Sequence, residues 1–552
     1  VFQMLSKGLT GGIFQFESDG MTQVLMKLGP ESIEDLIAVL SLYRPGPMDS
    51  IPKYIENRHN PKKVTYKHPL LKDILDVTYG CIVYQEQVME ICRKLAGYSY
   101  GRADLVRRAM AKKKADVMEK ERSVFVSGAK NNGVSEAVAN EIFDEMSGFA
   151  SYAFNKSHAA AYAYVSYQTA YLKCYYYKEF MAALMTSVLE NTGKLMEYIS
   201  DCERNGVKVL RPDINESEAG FTAVQDGIRF ALLAMKNLGR NPISQIVQTR
   251  EQYGKFVSLQ DFCDKMQGKD LNKRAIESLI KCGAFDCFNL SRRYMIENYD
   301  KIFKNLEAQS RMNIDGQIDF FGIPEAKKIS EDDITKTDEY DISVILAMEK
   351  EIAGMYISGY PLNKYQPFSD ARKFLRIIDI KAEGKTPDGG RVSIICMVQS
   401  IKLYNTKSGD DMAFVRLEDT SGEIECLVFP KVYSIVKQYL SVGSIIAVEG
   451  QINDKDGEIS IAADKIYLGN DFIRDCMKMD IYVRVKSTDN EAIKKISDEA
   501  KKYIGTSRLY FYFNDINKKA LNKSVSGVYI CENFLKSMQS LAGKQNVAIF
   551  KQ

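Results

Sequence analysis

Two clusters in this chain carry residue types suited to holding negative charge. The first is Arg107-Arg108-Ala109-Met110, with Lys112, Lys113 and Lys114 behind it. Adjacent guanidinium groups on an otherwise apolar stretch can fork onto phosphate oxygens in fixed geometry, which an ammonium does less well. The second is Phe154-Asn155-Lys156-Ser157-His158. Asn155 and Ser157 are both favoured at a helix N-cap. The free N–H groups of a helix start attract anions, Lys156 adds a full charge, and His158 places a ring in the first turn. Together the clusters suit a nucleoside triphosphate, with phosphates on the cations and the sugar or base against the ring. Each has a plainer reading too. Six basic residues against two acidic ones between Arg107 and Lys120 also describe a solvated helix face, and a lone histidine is often structural.

Three further sets of residues suit DNA or a protein partner. Lys236-Asn237-Leu238-Gly239-Arg240 and Lys281-Cys282-Gly283 each sit at a helix-turn junction. Hairpins of this kind set backbone N–H groups and a neighbouring Lys or Arg against a phosphate, independently of base sequence. Ordinary helix-ending turns would read the same way. Asn237 stands where a glycine is usual, and asparagine tolerates left-handed backbone. Lys402, Tyr404, Lys407, Phe414 and Arg416 supply charge and rings on alternating stretches, suited to stacking a single strand. Gln317-Ile318-Asp319-Phe320-Phe321 places two phenylalanines between glycines in a charged region. Paired aromatic anchors suit a partner's apolar pocket, although a plug folded back on its own domain fits as well.

The elements that must position these residues follow from length and pattern. At 552 residues with a net charge of +3, the chain exceeds one core, and any nucleic-acid surface must come from local clustering. The reading is a multidomain α+β protein. Residues 1–188 are mainly helical, with helices over Ser32–Leu42 (Ser32 as N-cap) and Tyr79–Leu95. A long helix follows Asn155, whose Tyr164, Tyr167, Tyr171 and Tyr175 stripe is expected in the core. Residues 189–290 hold a hairpin at Asp226-Gly227 and tandem helix-hairpin-helix units. Residues 291–372 form a charged, linker-like region. Residues 373–470 alternate apolar and polar over five strands (Val392–Val398, Ala413–Leu417, Glu423–Phe429, Ile445–Gln451, Ile459–Ile466). A helix from Tyr433 to Leu440 sits between strands three and four, the pattern of an OB barrel. Residues 471–552 form a small α/β unit in which nothing suggests chemistry.

No run of apolar residues reaches membrane-spanning length. Eleven cysteines, none in Cys-x-x-Cys, and only three histidines point to a reduced cytoplasmic protein without structural zinc. The opening Val1-Phe2-Gln3 lacks a leader pattern and reads as the interior of a longer protein.

From Gly11 onward the chain resembles the C-terminal part of the bacterial DNA polymerase III alpha subunit, a C-family replicative polymerase. The resemblance rests on Gly12-Ile13-Phe14-Gln15-Phe16-Glu17-Ser18, Arg44-Pro45-Gly46-Pro47, Tyr84-Gln85-Glu86-Gln87-Val88-Met89, Arg107-Arg108-Ala109-Met110 and Phe154-Asn155-Lys156-Ser157-His158. It implies a fingers domain, a clamp-binding domain with tandem hairpins, an OB domain, and a C-terminal domain that contacts a clamp-loader subunit. It implies that Arg107 and Arg108 contact the incoming dNTP and that His158, beside Ser157, lies near its sugar. It makes Gln317, Asp319, Phe320 and Phe321 the sliding-clamp contact. Primer-template DNA and single-stranded template are the implied nucleic-acid partners. In this family the aspartates that hold Mg²⁺ lie in the palm, upstream of the fingers, and residues 1–190 contain no Asp-x-Asp. Phosphoryl transfer between two metals needs those carboxylates. The intact subunit is therefore expected to be a DNA-directed DNA polymerase, and this chain alone inactive. Two alternatives remain: a non-catalytic DNA-binding adaptor tethered to the clamp, and an OB-type single-strand binder.

Overall fold

The computed structural model describes residues 1–111, 115–150, 153–267, 269, 271–301, 338–381, 387–406, 408–455 and 458–551. They fall into two compact units, residues 1–340 with 351–355, and residues 341–350 with 356–552.

The first unit begins as a helical region with two apolar cores. One gathers Leu5, Phe16, Leu25, Leu36, Tyr54 and Tyr84 with Ala159, Ala163 and Ala170 of the helix Lys156–Tyr175. The other gathers Val88, Leu95, Val106, Phe125, Phe143 and Met146. Ser32 Oγ accepts from Asp35 N–H at the start of helix Ile33–Leu42, and the Asp35 carboxylate accepts in return from Ser32 N–H, a reciprocal capping box. The helix expected from Tyr79 starts later, at Gln85, and runs to Ala96. Tyr79 is left-handed at φ 51° and cannot enter a right-handed helix. The segment after it is extended, so that Tyr84 bridges Phe154 as a parallel pair.

Of the tyrosine stripe only Tyr167 meets the core, half-buried with its ring 5.4 Å from Phe2. Helix Lys156–Tyr175 buries Ala159, Ala163, Ser166, Ala170 and Lys173, while Tyr164, Tyr171 and Tyr175 face outward. Small residues on the inner stripe let this helix approach Ile33–Leu42 closely, and tyrosines there would hold the two apart. At its far end the buried Lys173 Nζ donates to Gly11 O (2.7 Å) and Asp201 (3.0 Å). A buried ammonium is tolerable only with such partners.

Beyond residue 206 the unit carries a three-stranded sheet. The expected hairpin pairs Thr222–Val224 with Gly227–Arg229, and Val209–Leu210 adds a parallel strand. Helices Arg240–Tyr253, Leu259–Lys265 and Lys273–Lys281 follow.

The second unit contains a closed five-stranded barrel, Arg391–Asn405, Asp411–Asp419, Gly422–Val428, Glu458–Leu468 and Ile445–Lys455 in spatial order. Its interior is the alternate set Val392, Ile394, Cys396, Val398, Ala413, Val415 and Leu417 with their counterparts from the other strands. The helix between strands three and four begins at Pro430, earlier than expected, because proline suits the first helical turn. Last comes a four-stranded sheet in the order Lys518–Leu521, Leu509–Phe513, Asp480–Val485, Val547–Phe550. Helices Asn490–Ala500 and Glu532–Ala542 cover one face through Ile496, Phe534, Leu535 and Met538. The expectation of a multidomain α+β chain with a helical first region, an OB barrel and a C-terminal α/β unit describes what is observed.

Candidate functional site: a cavity at the mouth of the long helix

A cavity of ≈ 530 Å³ opens beside the start of helix Lys156–Tyr175. This size is within the usual range for a small-ligand pocket. Three separate sequence stretches meet there: Gln15, Glu17 and Ser18 ahead of helix Asp19–Leu28, Tyr43 and Arg44 after helix Ile33–Leu42, and Phe154, His158 and Tyr162 at the long helix. Phe154, His158 and Tyr162 form a ladder of rings, with centroids 5.4 and 4.5 Å apart, and Phe14 extends it at 5.4 Å from Tyr162. The Arg44 guanidinium lies 4.1 Å above the Phe154 ring and its Nε donates to Ser41 O. Burial pulls its pKa down from the ordinary arginine value, though an arginine stays charged even so. Opposite it, the Glu17 carboxylate accepts from Tyr198 Oη (3.0 Å) and pairs with Lys194. The site therefore offers a fixed cation, flat rings, and amide and hydroxyl groups.

Local backbone holds these groups in place. Gln15 has φ 64°, an uncommon conformation for a residue with a side chain. It persists because Ile13 and Phe16 on either side are fully buried and Phe16 N–H closes a turn onto Ile13 O. Gly12 has φ 73°, and a Cβ there would lie 2.2 Å from Leu184 Cδ2.

Asn155 caps the long helix as expected, its Oδ1 accepting from His158 N–H at 2.9 Å. The helix start is already occupied by acid: Lys156 N–H donates to both oxygens of Glu86 (3.1 Å each), and Lys156 Nζ pairs with Glu34 at 3.0 Å. Ser157 is exposed, and of the four residues only His158 lines the cavity. Arg107 reaches this turn through one intermediary. Its Nη1 donates to Gln85 Oε1 (2.8 Å), while Gln85 Nε2 donates to Ala153 O and Gln85 N–H to Phe154 O. Arg107 and Arg108 also share the Asp104 carboxylate, at 2.7 and 2.8 Å. Neither arginine lines the cavity. Arg44, Gln15, Glu17 and Tyr162 were not among the expected site residues. The signal for three of them was present in the Gly12–Ser18 and Arg44–Pro47 stretches, although an arginine just past a helix end also answers the helix dipole.

The two hairpin sites are built differently. Asn237 does adopt a left-handed turn (φ 64°), and its Nδ2 donates to Ser278 Oγ across to the second hairpin's helix. Gly239 caps helix Arg240–Tyr253 and Arg240 is exposed. Lys236 Nζ donates to Glu351 O. In the second hairpin, Lys281 is held by Glu277 (3.0 Å) and Glu351 (3.2 Å). Burial lowers its pKa, but the bonds to those carboxylates outweigh this and raise it. Gly283 (φ 79°) lies so close to Arg292 and Asp286 that a Cβ would clash with both.

On the barrel, Lys402, Tyr404, Phe414 and Arg416 share one face of the first two strands. Lys402 is directly opposite Phe414, and the Tyr404 and Phe414 rings meet edge-on at 6.1 Å. Arg416 pairs with the exposed Glu423 at 3.6 Å. Lys407, Lys112 to Lys114 and the Gln317–Phe321 motif lie outside the described residues.

Comparison with known proteins follows the same order along the chain. Residues 1–133 match the bacterial DNA polymerase III alpha subunit finger domain, residues 206–295 a helix-hairpin-helix motif, and residues 392–468 an OB-fold nucleic acid binding domain. The DNA polymerase III subunit alpha of Borreliella burgdorferi is 37% identical over 94% of this chain and 46% of its own length. That of Bacillus subtilis is 34% identical over 99% and 48%, and that of Escherichia coli K12 37% over 84% and 41%. The chain thus spans just under half the length of these relatives. With a fingers-domain match at one end and 34–37% identity along 84–99% of its length, this chain is similar to just under half of a bacterial DNA polymerase III alpha subunit.

Proposed function

We propose that this chain is the part of a replicative DNA polymerase that receives the incoming dNTP and holds DNA. The observation that carries the reading is the convergence of three distant stretches on one cavity. There Arg44 supplies a fixed positive charge and Phe154, His158 and Tyr162 supply flat faces for a base or sugar. Arg107 stiffens the turn through Gln85 and, with the exposed Arg108, meets the outer phosphates. Since Glu86 and Glu34 already neutralise Lys156 and the helix start, Asn155, Lys156 and Ser157 serve to set His158 rather than to grip phosphate directly. The helix-hairpin-helix region, through Arg240 and the Asn237 and Gly239 turn, holds primer-template duplex. The Lys402, Tyr404, Phe414 and Arg416 face of the barrel takes the single-stranded template. The Gln317–Phe321 motif reaches the sliding clamp, and the C-terminal unit meets the clamp loader, all in the bacterial cytoplasm.

Catalysis belongs to the intact subunit. Among the described residues no group of three or more His, Cys, Asp or Glu side chains is placed to hold a metal ion. The described residues do not fit a Mg²⁺ site. No helix among the described residues is long and apolar enough to cross a membrane.

The test is binding of a fluorescent dNTP to the chain. Removing a desolvated cation that meets an anion costs about 1.5–3 kcal/mol, so Arg44→Ala is expected to weaken binding at least tenfold, with Arg108→Ala weaker in effect. Equal affinity of wild type and Arg44→Ala refutes the site. Phe320→Ala with Phe321→Ala is expected to abolish clamp binding and leave dNTP affinity intact. A clamp-tethered adaptor would bind DNA and clamp but show no dNTP affinity.

A further inference from the structure

Among the described residues, no helix covers the second face of the C-terminal sheet. Cross-strand register lays its side chains out in three rows. Asp480 and Phe550 form the first, beside Arg508 just ahead of its strand, Leu521, Tyr510, Tyr482 and Ala548 the second, and Lys519, Tyr512 and Arg484 the third. Tyr482 and Tyr510 stack on each other with centroids 5.0 Å apart and planes 11° from parallel, and Phe550 joins them at 5.8 Å from Tyr482. Cations edge this patch. Arg508 and Lys519 lie 5.9 and 5.8 Å from the Tyr510 ring, and Arg484 lies 5.8 Å from Tyr512. The one carboxylate in these rows, Asp480, is buried and taken up by Arg508 at 3.0 Å. Among the described residues no carboxylate pairs with Arg484 or Lys519. Leu521 and Phe550 remain nearly half exposed.

This is not the surface of an ordinary α/β unit, whose open sheet face carries scattered polar groups. Stacked rings in the middle of a sheet, with unpaired cations at the margin, complement a ligand that has flat faces and repeating negative charge. We propose that the open face of the C-terminal sheet binds single-stranded nucleic acid. Bases stack on Tyr482, Tyr510 and Phe550, and Arg484 and Lys519 meet the phosphates. Sheets bearing central aromatics read two or three unstacked bases in this way. The site is separate from the barrel face and from the dNTP cavity, and does not depend on either.

The test uses the full chain and a labelled oligothymidylate of about 12 nucleotides. It is run in the wild-type background and in a Lys402→Ala/Phe414→Ala background that disables the barrel face. Tyr482→Ser/Tyr510→Ser is expected to weaken binding about fivefold or more in both backgrounds, while Tyr482→Phe/Tyr510→Phe binds as wild type. Arg484→Glu/Lys519→Glu, both on exposed positions, is expected to weaken binding and flatten the salt dependence by about 1.4 in log–log slope, two phosphates' worth. An iodouracil-substituted oligonucleotide is expected to crosslink to the peptide carrying Tyr482 or Tyr510. Far-ultraviolet circular dichroism confirms that each variant is folded. Unchanged affinity of the Ser and Glu variants in both backgrounds overturns the proposal. So does a loss confined to binding of a protein partner, which would make this face a protein interface.

Discussion

Lys173→Met tests whether the floor of the cavity depends on a charge buried at the opposite end of its helix. Lys173 is 3% exposed, and its ammonium bridges Gly11 O and Asp201. Methionine fills the same volume but removes three donors. Breaking a buried ion pair from one side costs about 3–5 kcal/mol, mostly because the partner charge is stranded. Here Asp201 keeps Tyr177 Oη at 3.1 Å and Arg204 at 3.5 Å, which places the cost at the lower end, about 3 kcal/mol. That equals about a hundredfold rise in local opening. Hydrogen exchange measured by mass spectrometry is expected to show faster exchange over residues 9–18, and dNTP affinity to fall although no cavity residue has changed. Lys173→Met/Asp201→Asn is expected to regain part of the loss, since no charge is then stranded. If Lys173→Met leaves exchange in that loop unaltered, or the double variant is no better than the single, the account of Lys173 as the anchor of Gly11 is wrong.

Two other substitutions probe the scaffold. Burial pushes the Asp35 carboxyl up, but Arg58 and the Glu31 and Ser32 amides outweigh it and hold the pKa below the usual aspartate value. A depressed folded pKa gives stability that is complete above about pH 4 and is lost as pH falls through the folded value. Asp35→Asn is thus expected to be less stable than wild type at pH 7 in urea denaturation, with the gap narrowing below pH 4. A pH-independent gap would contradict the assignment. Gly283→Ala forces a side chain into left-handed backbone and against Arg292, and is expected to lower the thermal transition and to cost more than about 1 kcal/mol. A melting temperature equal to wild type would show that Arg292 moves aside freely.

Much of the frame was readable before the structure because it depends on local rules. Ser32 and Asn155 cap their helices by side-chain chemistry that acts within three residues. Asp226-Gly227 forces its hairpin, and Asn237 accepts the left-handed turn that its position demands. Strand alternation sufficed for the barrel, since a closed interior needs every second residue apolar. What failed needed tertiary information. The helix after Asn155 carries two stripes, one of tyrosines and one of alanines, and periodicity cannot say which turns inward. Close packing against Ile33–Leu42 selected the alanines. Arg44 could not be separated from a helix-terminal charge until Phe154, more than a hundred residues away, was seen beneath it. The open C-terminal sheet was invisible for a related reason. Tyr482-Val483-Arg484 and Tyr510-Phe511-Tyr512 alternate as any half-buried strand does, and only the register shows that the tyrosines of separate strands are neighbours.

The two sheets of the second unit end in different ways. In the barrel, the first strand pairs with both the second strand and Ile445–Lys455, and Gly422–Val428 meets Glu458–Leu468 in parallel. Every strand is thereby flanked, and none is left to recruit a stray chain. The C-terminal sheet stays open at Lys518–Leu521, where a free rim of amide and carbonyl groups would otherwise seed pairing between copies. Lys518 and Lys519 stand exposed on that rim, and mutual repulsion of such ammonium groups keeps identical rims apart. Replacing both by threonine is expected to promote association between copies, read as an earlier elution in size-exclusion chromatography.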